Sequence, residues 1–482
     1  MKLEIRFLGC AVIALLLAGC ATPADLAPVE GELSRHAETL PSDILSRPLT
    51  VDDAIGLAIT YNLDARVKAL EEVIAAGKAD LSMFALLPEM AAKAGWSRRG
   101  PASQTTSKDL STGVTSTSYS QSEDAARHTA DLTLSWNLVD FGIALLRAEQ
   151  EDSRVRLAIE KRRRATHLLV QDVQAAYWKA VINEFAERKY KSLELKLVRS
   201  VRDAETAERT RVGDPMQMLA HQRAIVDTMR QIAELQRQTS TARADLAGLM
   251  GVASVTAFQL ASVDEASSLT VEDPTASVES LEAVALANRP ELKSEAAQFS
   301  IDAKDVHTEM LKSIPGIGPF FGGHFDSNSY MRYNTWADAG VKVAWNLVDL
   351  LSAPKRINQA HLAAEVTRAR RVAVAMAVLT QVHVADTQYR HALKEYRLTE
   401  QMAAIDRRIT GLASKSKQAG QGSAMEEIKA EASSMLSTLR RLIIYSDLQS
   451  AMARLQVALG TDPAPPPEPM VDENVEEEDR AG

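Results

Sequence analysis

From Thr129 to Leu138 apolar and polar residues alternate. Ala130, Leu132, Leu134, Trp136 and Leu138 fall on one side; Thr129, Asp131, Thr133, Ser135 and Asn137 fall on the other. A second stretch behaves the same way, with Val341, Val343, Trp345 and Leu347 opposed to Asp338, Lys342 and Asn346. Period-two alternation over about ten residues predicts strands, and it suits a barrel strand with one face to lipid and one to a wet lumen. Taken singly, each segment fits a half-buried strand of a soluble sheet equally well. Trp136 and Trp345, near the strand ends, suit an interfacial aromatic girdle. The preceding stretches, Glu89–Arg98 and Gly316–Phe325, alternate less cleanly and are the expected partner strands.

After each alternating segment the period changes. Between Gly142 and Gly213 there is neither proline nor glycine, which predicts roughly 100 Å of continuous helix at 1.5 Å per residue. Leu169, Val173, Ala176 and Ala180, then Leu193, Leu197, Val201 and Ala204, form a narrow coiled-coil-like seam. Val212-Gly213-Asp214-Pro215 turns the chain, glycine closing one helix and proline opening the next. The return helix is expected to end at Met250-Gly251, about half the length of the outgoing one. A half-length helix also precedes the strands. Thr50 is its expected N-cap, Asp53 the capping-box partner, and Pro88 its stop, so one helix is expected from Asp53 to about Leu87. Two half-length helices end to end would flank one long helix and give a rod of even thickness.

The pattern occurs twice. Trp136-Asn137-Leu138-Val139-Asp140 and Trp345-Asn346-Leu347-Val348-Asp349 lie 209 residues apart, as do Gly213 and Gly422, Leu246 and Leu455, and Gly251 and Gly460. A constant offset over such a length marks a duplicated unit. Pro88 and Pro315 are 227 apart, so 18 extra residues belong to the first copy, in the Ser-, Thr- and Gly-rich insert Gly100–Arg127. That insert reads as a solvated loop. The units are residues 49–252 and 277–460, joined by an equatorial linker at 253–276. The second carries a long helix over Ala353–Gln418, a turn at Gly420-Gln421-Gly422 and a return helix over Ala424–Gly460. Four strands per chain cannot close a barrel, for which about eight are the minimum, so a barrel requires several copies.

Lys2 and Arg6 precede an apolar run from Phe7 to Ala18, followed by Leu17-Ala18-Gly19-Cys20. This is the pattern of a lipoprotein signal over residues 1–19, with Cys20 as the lipidated residue and 20–48 as a linker. Ala21, in place of Asp, favours the outer membrane by resemblance to lipoproteins of Gram-negative bacteria. The only other cysteine, Cys10, would leave with the signal, so no disulfide and no cysteine metal site are expected. The formal net charge is −9, of which −7 sits in the acidic, proline-rich tail at 461–482, expected to be disordered. Nucleic acid is a poor partner, because no basic patch interleaves with aromatics. The nine histidines show no metal-ligand spacing; His383 and His391 read as a polar helix face. The Gly316-Ile317-Gly318 and Gly322-Gly323 run lacks the Lys-Ser/Thr of a phosphate loop, and Asp52-Asp53 and Glu71-Glu72 read as helix-start or solvated charge. An enzyme, a cofactor and a bound metal are not expected.

In order and spacing, Leu49-Thr50-Val51-Asp52-Asp53-Ala54, Pro88 and Pro315, the two W-N-L-V-D segments, Ala419-Gly420, and Gly251 and Gly460 strongly resemble the TolC-like outer-membrane efflux proteins. The resemblance implies a mainly α fold with membrane β-strands. It implies a homotrimer with a 12-stranded outer-membrane barrel continuous with a 12-helix periplasmic barrel. It further implies a passive exit duct, fed by an inner-membrane transporter through a periplasmic adaptor, for drug and metabolite efflux or for type I protein secretion. Adaptor docking would fall on the tips, Val212-Gly213 and Ala419-Gly420, where the glycines serve equally well as plain helix caps. Counting from Gly420 in the family's A-G-x-x-x-x-x-D-x-L-D pattern, Glu426 holds the first acidic gate position. Ile428 holds the Leu position, and Lys429 reverses charge at the second acidic one. Lys429 is expected to pair with Glu426 or Glu427, and Arg209, Arg211, Lys415 and Lys417 are expected to clasp tip acids or simply to be solvated. The other reading is a non-channel periplasmic coiled-coil lipoprotein, a scaffold or adaptor, which would leave the alternating strands unexplained.

Overall fold

The structure, a computed structural model, describes residues 41–210, 214–253, 256–261 and 276–462, together with His36 and Val271. Cys20, Val212, Gly213, Arg211 and the tail beyond Asp462 lie outside the described residues. After α1 (Ser42–Ser46), which precedes the first unit, come β1 (Pro48–Leu49), α2 (Val51–Tyr61), α3 (Leu63–Phe84), β2 (Glu89–Arg98), β3 (Gln104–Thr105), β4 (Ser120–Gln121), β5 (Ala126–Ser135), α4 (Leu138–Arg209), α5 (Pro215–Thr239) and α6 (Ala242–Leu249). After β6 (Gln259–Leu260) come α7 (Val278–Asn288), α8 (Pro290–Leu311), β7 (Gly316–Asp326), β8 (Thr335–Ala344), α9 (Leu347–Gln418) and α10 (Ala424–Leu459). The order expected from the sequence is the order observed, and α4 and α9 both span 72 residues.

Thr50 caps α2 as expected, its side chain accepting from the Asp53 amide while the Asp53 carboxylate accepts from the Thr50 amide. The helix then departs from the expectation of one unbroken run to Leu87. It stops at Tyr61, and Asn62, in an extended conformation, caps α3 by accepting from the Ala65 amide. The second unit breaks at the corresponding place, Arg289, where Pro290 removes a donor and opens α8. The return helix also differs. It is interrupted at Ser240-Thr241, where Thr239 and Ser240 turn their hydroxyls onto nearby carbonyls and compete with the backbone ladder. The second long helix begins at Leu347, six residues before the expected start, and runs through Pro354. Pro354 is the eighth residue of that helix, so its ring removes one bond of the ladder, the donor to the Leu350 carbonyl.

Each helix break serves a junction with the return helix of its own unit. Gly251 and Gly460 end the return helices with positive φ, and an added Cβ would meet the Tyr61 carbonyl oxygen at 2.3 Å or Arg289 backbone at 2.9 Å. The Asn62 amide donates to the Leu249 carbonyl at 2.9 Å, and the Arg289 guanidinium to the Val457 carbonyl at 2.6 Å. Each break thus presents a side chain that satisfies the orphan carbonyls of the return helix. Here Tyr177, on α4, donates to the Leu49 carbonyl at 2.9 Å; burial pushes its hydroxyl up to about 12, so it stays a donor. Leu49, Ala54, Leu57, Val173, Leu246, Met250 and Phe258 form the core of this waist.

The strands β2-β5-β7-β8 form one antiparallel sheet in that order. The insert Gly100–Arg127 is more ordered than a plain solvated loop, for β3 and β4 pair within it. It is pinned to the other outer loop: the Ser329 hydroxyl donates to Asp124 at 2.9 Å and the Asn328 amide to the Ser122 carbonyl at 3.0 Å.

Candidate functional site: the sheet faces and the helical tip

The sheet is inside out by the standard of a soluble protein. Along β5 the exposed positions include Ala130, Leu132 and Leu134, whereas Asp131, Thr133 and Ser135 are half-buried. Register carries the apolar face across the strands: Met90 lies beside Leu134, Leu134 beside Phe321, Phe321 beside Ala339, and Ile317 beside Val343. Val341 and Val343 are 68% and 65% exposed. A soluble sheet buries that face; a sheet in lipid presents it. Trp136 and Trp345 sit where β5 and β8 give way to α4 and α9, 40% and 49% exposed. Trp136 meets Phe141 edge to face at 5.6 Å, and the Trp345 indole donates to the Ser313 carbonyl at 3.3 Å. No helix among the described residues is long and apolar enough to cross a membrane.

The polar face carries a charged rung that the motif reading overlooked. Lys93, Asp131, His324 and Trp336 are neighbours across β2, β5, β7 and β8. His324 bridges two carboxylates, with Nδ1 2.7 Å from Asp131 and Nε2 3.1 Å from Asp338. Its one available sequence signal was period two, which puts Asp131 and Asp338 on the polar face. Cross-strand register was not available from sequence.

The described tip is the α9–α10 turn. Gly420 has φ +72°, and the turn closes by Gln421 N–H to the Ser416 carbonyl and Gly420 N–H to the Lys417 carbonyl, both 3.0 Å. This is the Schellman closure, for which glycine is the favoured residue. Nothing lies within 4 Å of a Cβ built on Gly420, so its backbone faces open space. Ala419 is exposed beside it. The Glu426 carboxylate accepts from the Ser423 amide at 3.3 Å, in a capping box that starts α10. Glu427 pairs with Lys417, not with Lys429, and the Lys417 hydrogen bond holds its carboxyl below the usual range. Lys429 is exposed and near His221, whose pKa is lowered by burial and then by that ammonium. Arg209 reaches back to Glu205 at 3.9 Å, so it is not brought to the tip acids. His383 pairs with Glu282 at 2.6 Å, and among the described residues no three His, Cys, Asp or Glu side chains gather as a metal site.

Comparison with protein-family models gives no match, and comparison with curated proteins gives none either. Solved structures do match. The open state of the MtrE outer-membrane channel of Neisseria gonorrhoeae superposes with a TM-score of 0.66 at 18% identity, over 85% of this chain and 88% of that one. The CmeC outer-membrane channel of Campylobacter jejuni gives 0.65 at 13%, over 85% of each chain. The outer-membrane protein VceC of Vibrio cholerae gives 0.61 at 14%, over 85% of this chain and 96% of that one. The chain therefore has the fold of outer-membrane channels. The element order implied by the motifs, with its four-stranded sheet and two long helices, is the order observed in the single chain.

Proposed function

We propose that the protein is one subunit of an outer-membrane exit duct, a ring of copies whose sheets close a barrel and whose helices continue it as a hollow rod. The observation that carries this reading is a mismatch between the two units. In α8, Pro290, Ala297, Ile301 and Thr308 are buried, against α4 and α9. The equivalent residues of α3, 227 positions earlier, are Leu63, Leu70, Ile74 and Leu81, and they are 45%, 53%, 58% and 68% exposed. The larger apolar side chains are therefore on the uncovered copy. Likewise Ser153, His167, Leu193 and Ser200 of α4 are buried, while their α9 counterparts, Leu362, Met376, Met402 and Ile409, are half exposed.

One operation covers all of these faces. Within the chain, α4 of the first unit takes α8 and α10 of the second, and β5 takes β7. Repeated between copies, α9 takes α3 and α5 of the next copy, and β8 takes its β2. Because four strands per copy need about eight to close, the ring has more than one subunit; three is the number the family resemblance implies. Polar residues then face the lumen, as a water-filled duct requires.

In the same reading Cys20 carries a lipid in the outer membrane. The helices extend into the periplasm, and Ala419-Gly420, with Val212-Gly213, meets a membrane-fusion adaptor that links the duct to an inner-membrane transporter. Glu426, Glu427 and Lys429 ring the tip as its gate, and transport through the duct is passive. Support for the docking assignment is the open space around Gly420. Drug efflux and type I secretion use the same conduit, so adaptor exchange followed by export assays assigns the cargo. The channel claim itself is tested by extracting the protein from outer membranes and recording single-channel conductance in planar bilayers. Discrete, long-lived conductance steps are expected; a folded protein that never conducts would leave the scaffold reading in its place.

A further inference from the structure

We infer that Asp131, His324 and Asp338 form a proton-controlled charge band in the barrel lumen that sets which ions pass. The inference rests on the channel reading above. Three features define the band. First, both ring nitrogens of His324 face carboxylate oxygens, Asp131 at 2.7 Å and Asp338 at 3.1 Å. A neutral imidazole has one N–H and an ionised carboxylate only accepts, so both bonds exist together only when the ring is an imidazolium. Second, the space for the bridge depends on Gly322. A Cβ there would lie 2.3 Å from an Asp338 oxygen and 2.6 Å from His324 Nε2. Third, the ring stacks on Trp336, with centroids 5.3 Å apart and planes 20° apart, an arrangement that favours a cation over the indole.

The band is in reach of ions. His324 is 18% exposed, Asp131 36% and Asp338 51%, all on the polar side of the sheet. The other charges on that side are Lys93, beside Asp131; Glu89 and Arg127, further along β2 and β5; Asp326, two residues along β7 and 3.5 Å from Arg127; and Lys342, further along β8. Histidine is the side chain whose ordinary titration range spans neutrality. Losing the His324 proton leaves Asp131 and Asp338 sharing one remaining N–H. Each subunit then adds one negative charge to the lumen at the same height. In a water-filled lumen with low-dielectric walls, such a ring raises the local concentration of cations.

The experiment is a reversal-potential measurement on the purified full-length channel in a KCl gradient, at about pH 5 and about pH 8.5, either side of the ordinary histidine range. The wild-type potassium-to-chloride permeability ratio is expected to rise at least about twofold from the acid to the alkaline condition. His324→Gln should flatten that rise, while His383→Gln, on a helix outside the barrel, should leave it intact. Asp338→Asn, which keeps the histidine and removes one acceptor, should lower the ratio at alkaline pH. A wild-type ratio that does not change with pH overturns the inference, as does a full rise in His324→Gln. Should His324→Gln fail to insert, the wild-type and Asp338→Asn recordings decide alone. Absence of conductance in every folded preparation would instead overturn the channel reading, and the band with it.

Discussion

The long helices α4 and α9 have equal length and equal origin, yet they live in opposite surroundings. Leu193 and Leu197 of α4 are buried against Leu436 and Leu439 of α10. The matching positions on α9 are Met402, 52% exposed, and Asp406. Further along α9, Leu398, Met402, Ile405, Ile409 and Leu412 make an uncovered row at spacings of four and three, the period of a coiled-coil seam. The first helix covers its seam inside the chain, and the second keeps a seam that the chain itself leaves uncovered. A duplicated unit that closes on its own copy would bury both alike. This one leaves α3 and one face of α9 uncovered, the faces that the proposed ring would bury.

The largest effect should come from charging the uncovered face. Leu70→Glu places an unpaired carboxylate where the ring would exclude water, at a cost of about 3–5 kcal/mol per interface. Sedimentation in detergent should then show monomers in place of oligomers while circular dichroism retains the helix content. Next is truncation at matched positions. Leu193→Ala should destabilise the folded chain by about 3 kcal/mol, as buried leucines do. Met402→Ala should leave monomer unfolding within about 0.5 kcal/mol and weaken association instead. Denaturant titration above and below the concentration of assembly distinguishes the two.

The glycines give a smaller contrast. Gly251→Ala combines left-handed backbone with a collision against the Tyr61 carbonyl, whereas Gly420→Ala meets only the backbone penalty. About 1–2 kcal/mol is expected for the backbone term alone and more for Gly251→Ala, read as loss of thermal midpoint. Because any side chain at Gly420 strains the turn, adaptor docking is better probed by Ala419→Trp, whose φ of −78° is ordinary. The smallest effect is acid sensitivity at the end of α10. Asp462 accepts from Arg163 at 2.6 Å and from His167 at 2.8 Å, and chiefly the Arg163 bond holds its carboxyl below the usual range. A depressed carboxylate contributes stability above its unfolded pKa and loses it as pH falls through the folded value. The first unit has Ala253 at this position, so only the second waist has this clasp. Asp462→Asn should therefore flatten the acid limb of the melting profile slightly.

Most of the architecture was legible because it repeats. The offsets of 209 and 227 located both long helices and all four sheet strands, and prolines and glycines marked their ends. The breaks at Asn62 and Arg289 were harder to see. Asn62 looks unremarkable in sequence and Arg289 is marked only by the Pro290 that follows it, and their purpose, satisfying the carbonyls of a helix 187 and 168 residues away, exists only in three dimensions. The interruption at Ser240-Thr241 lacks proline and glycine for the same reason. At the tip, Glu426 was found by pattern, but its hydrogen bond to Ser423 is a local capping box that the Ser-x-x-Glu spacing itself encoded. The bridge of His324 to Asp131 and Asp338 required the register of three strands, which alternation alone does not supply.

The central claim is that the contacts between units inside one chain recur between chains. The Ser153 and Ser300 hydroxyls lie 3.2 Å apart where α4 meets α8. Their equivalents, at the same offsets, are Leu362 on α9 and Val73 on α3, 52% and 66% exposed. Val73→Cys and Leu362→Cys in one chain should form a disulfide with the next copy on mild oxidation in outer membranes, giving a ladder that ends at a closed oligomer. The only other thiol expected in the mature chain, Cys20, is blocked by lipid in the proposed state. Either cysteine alone should give no ladder. Oligomers that resist cross-linking at this pair, yet form under a longer reagent, would contradict the inherited register, and a chain that remains monomeric in the membrane would contradict the ring itself.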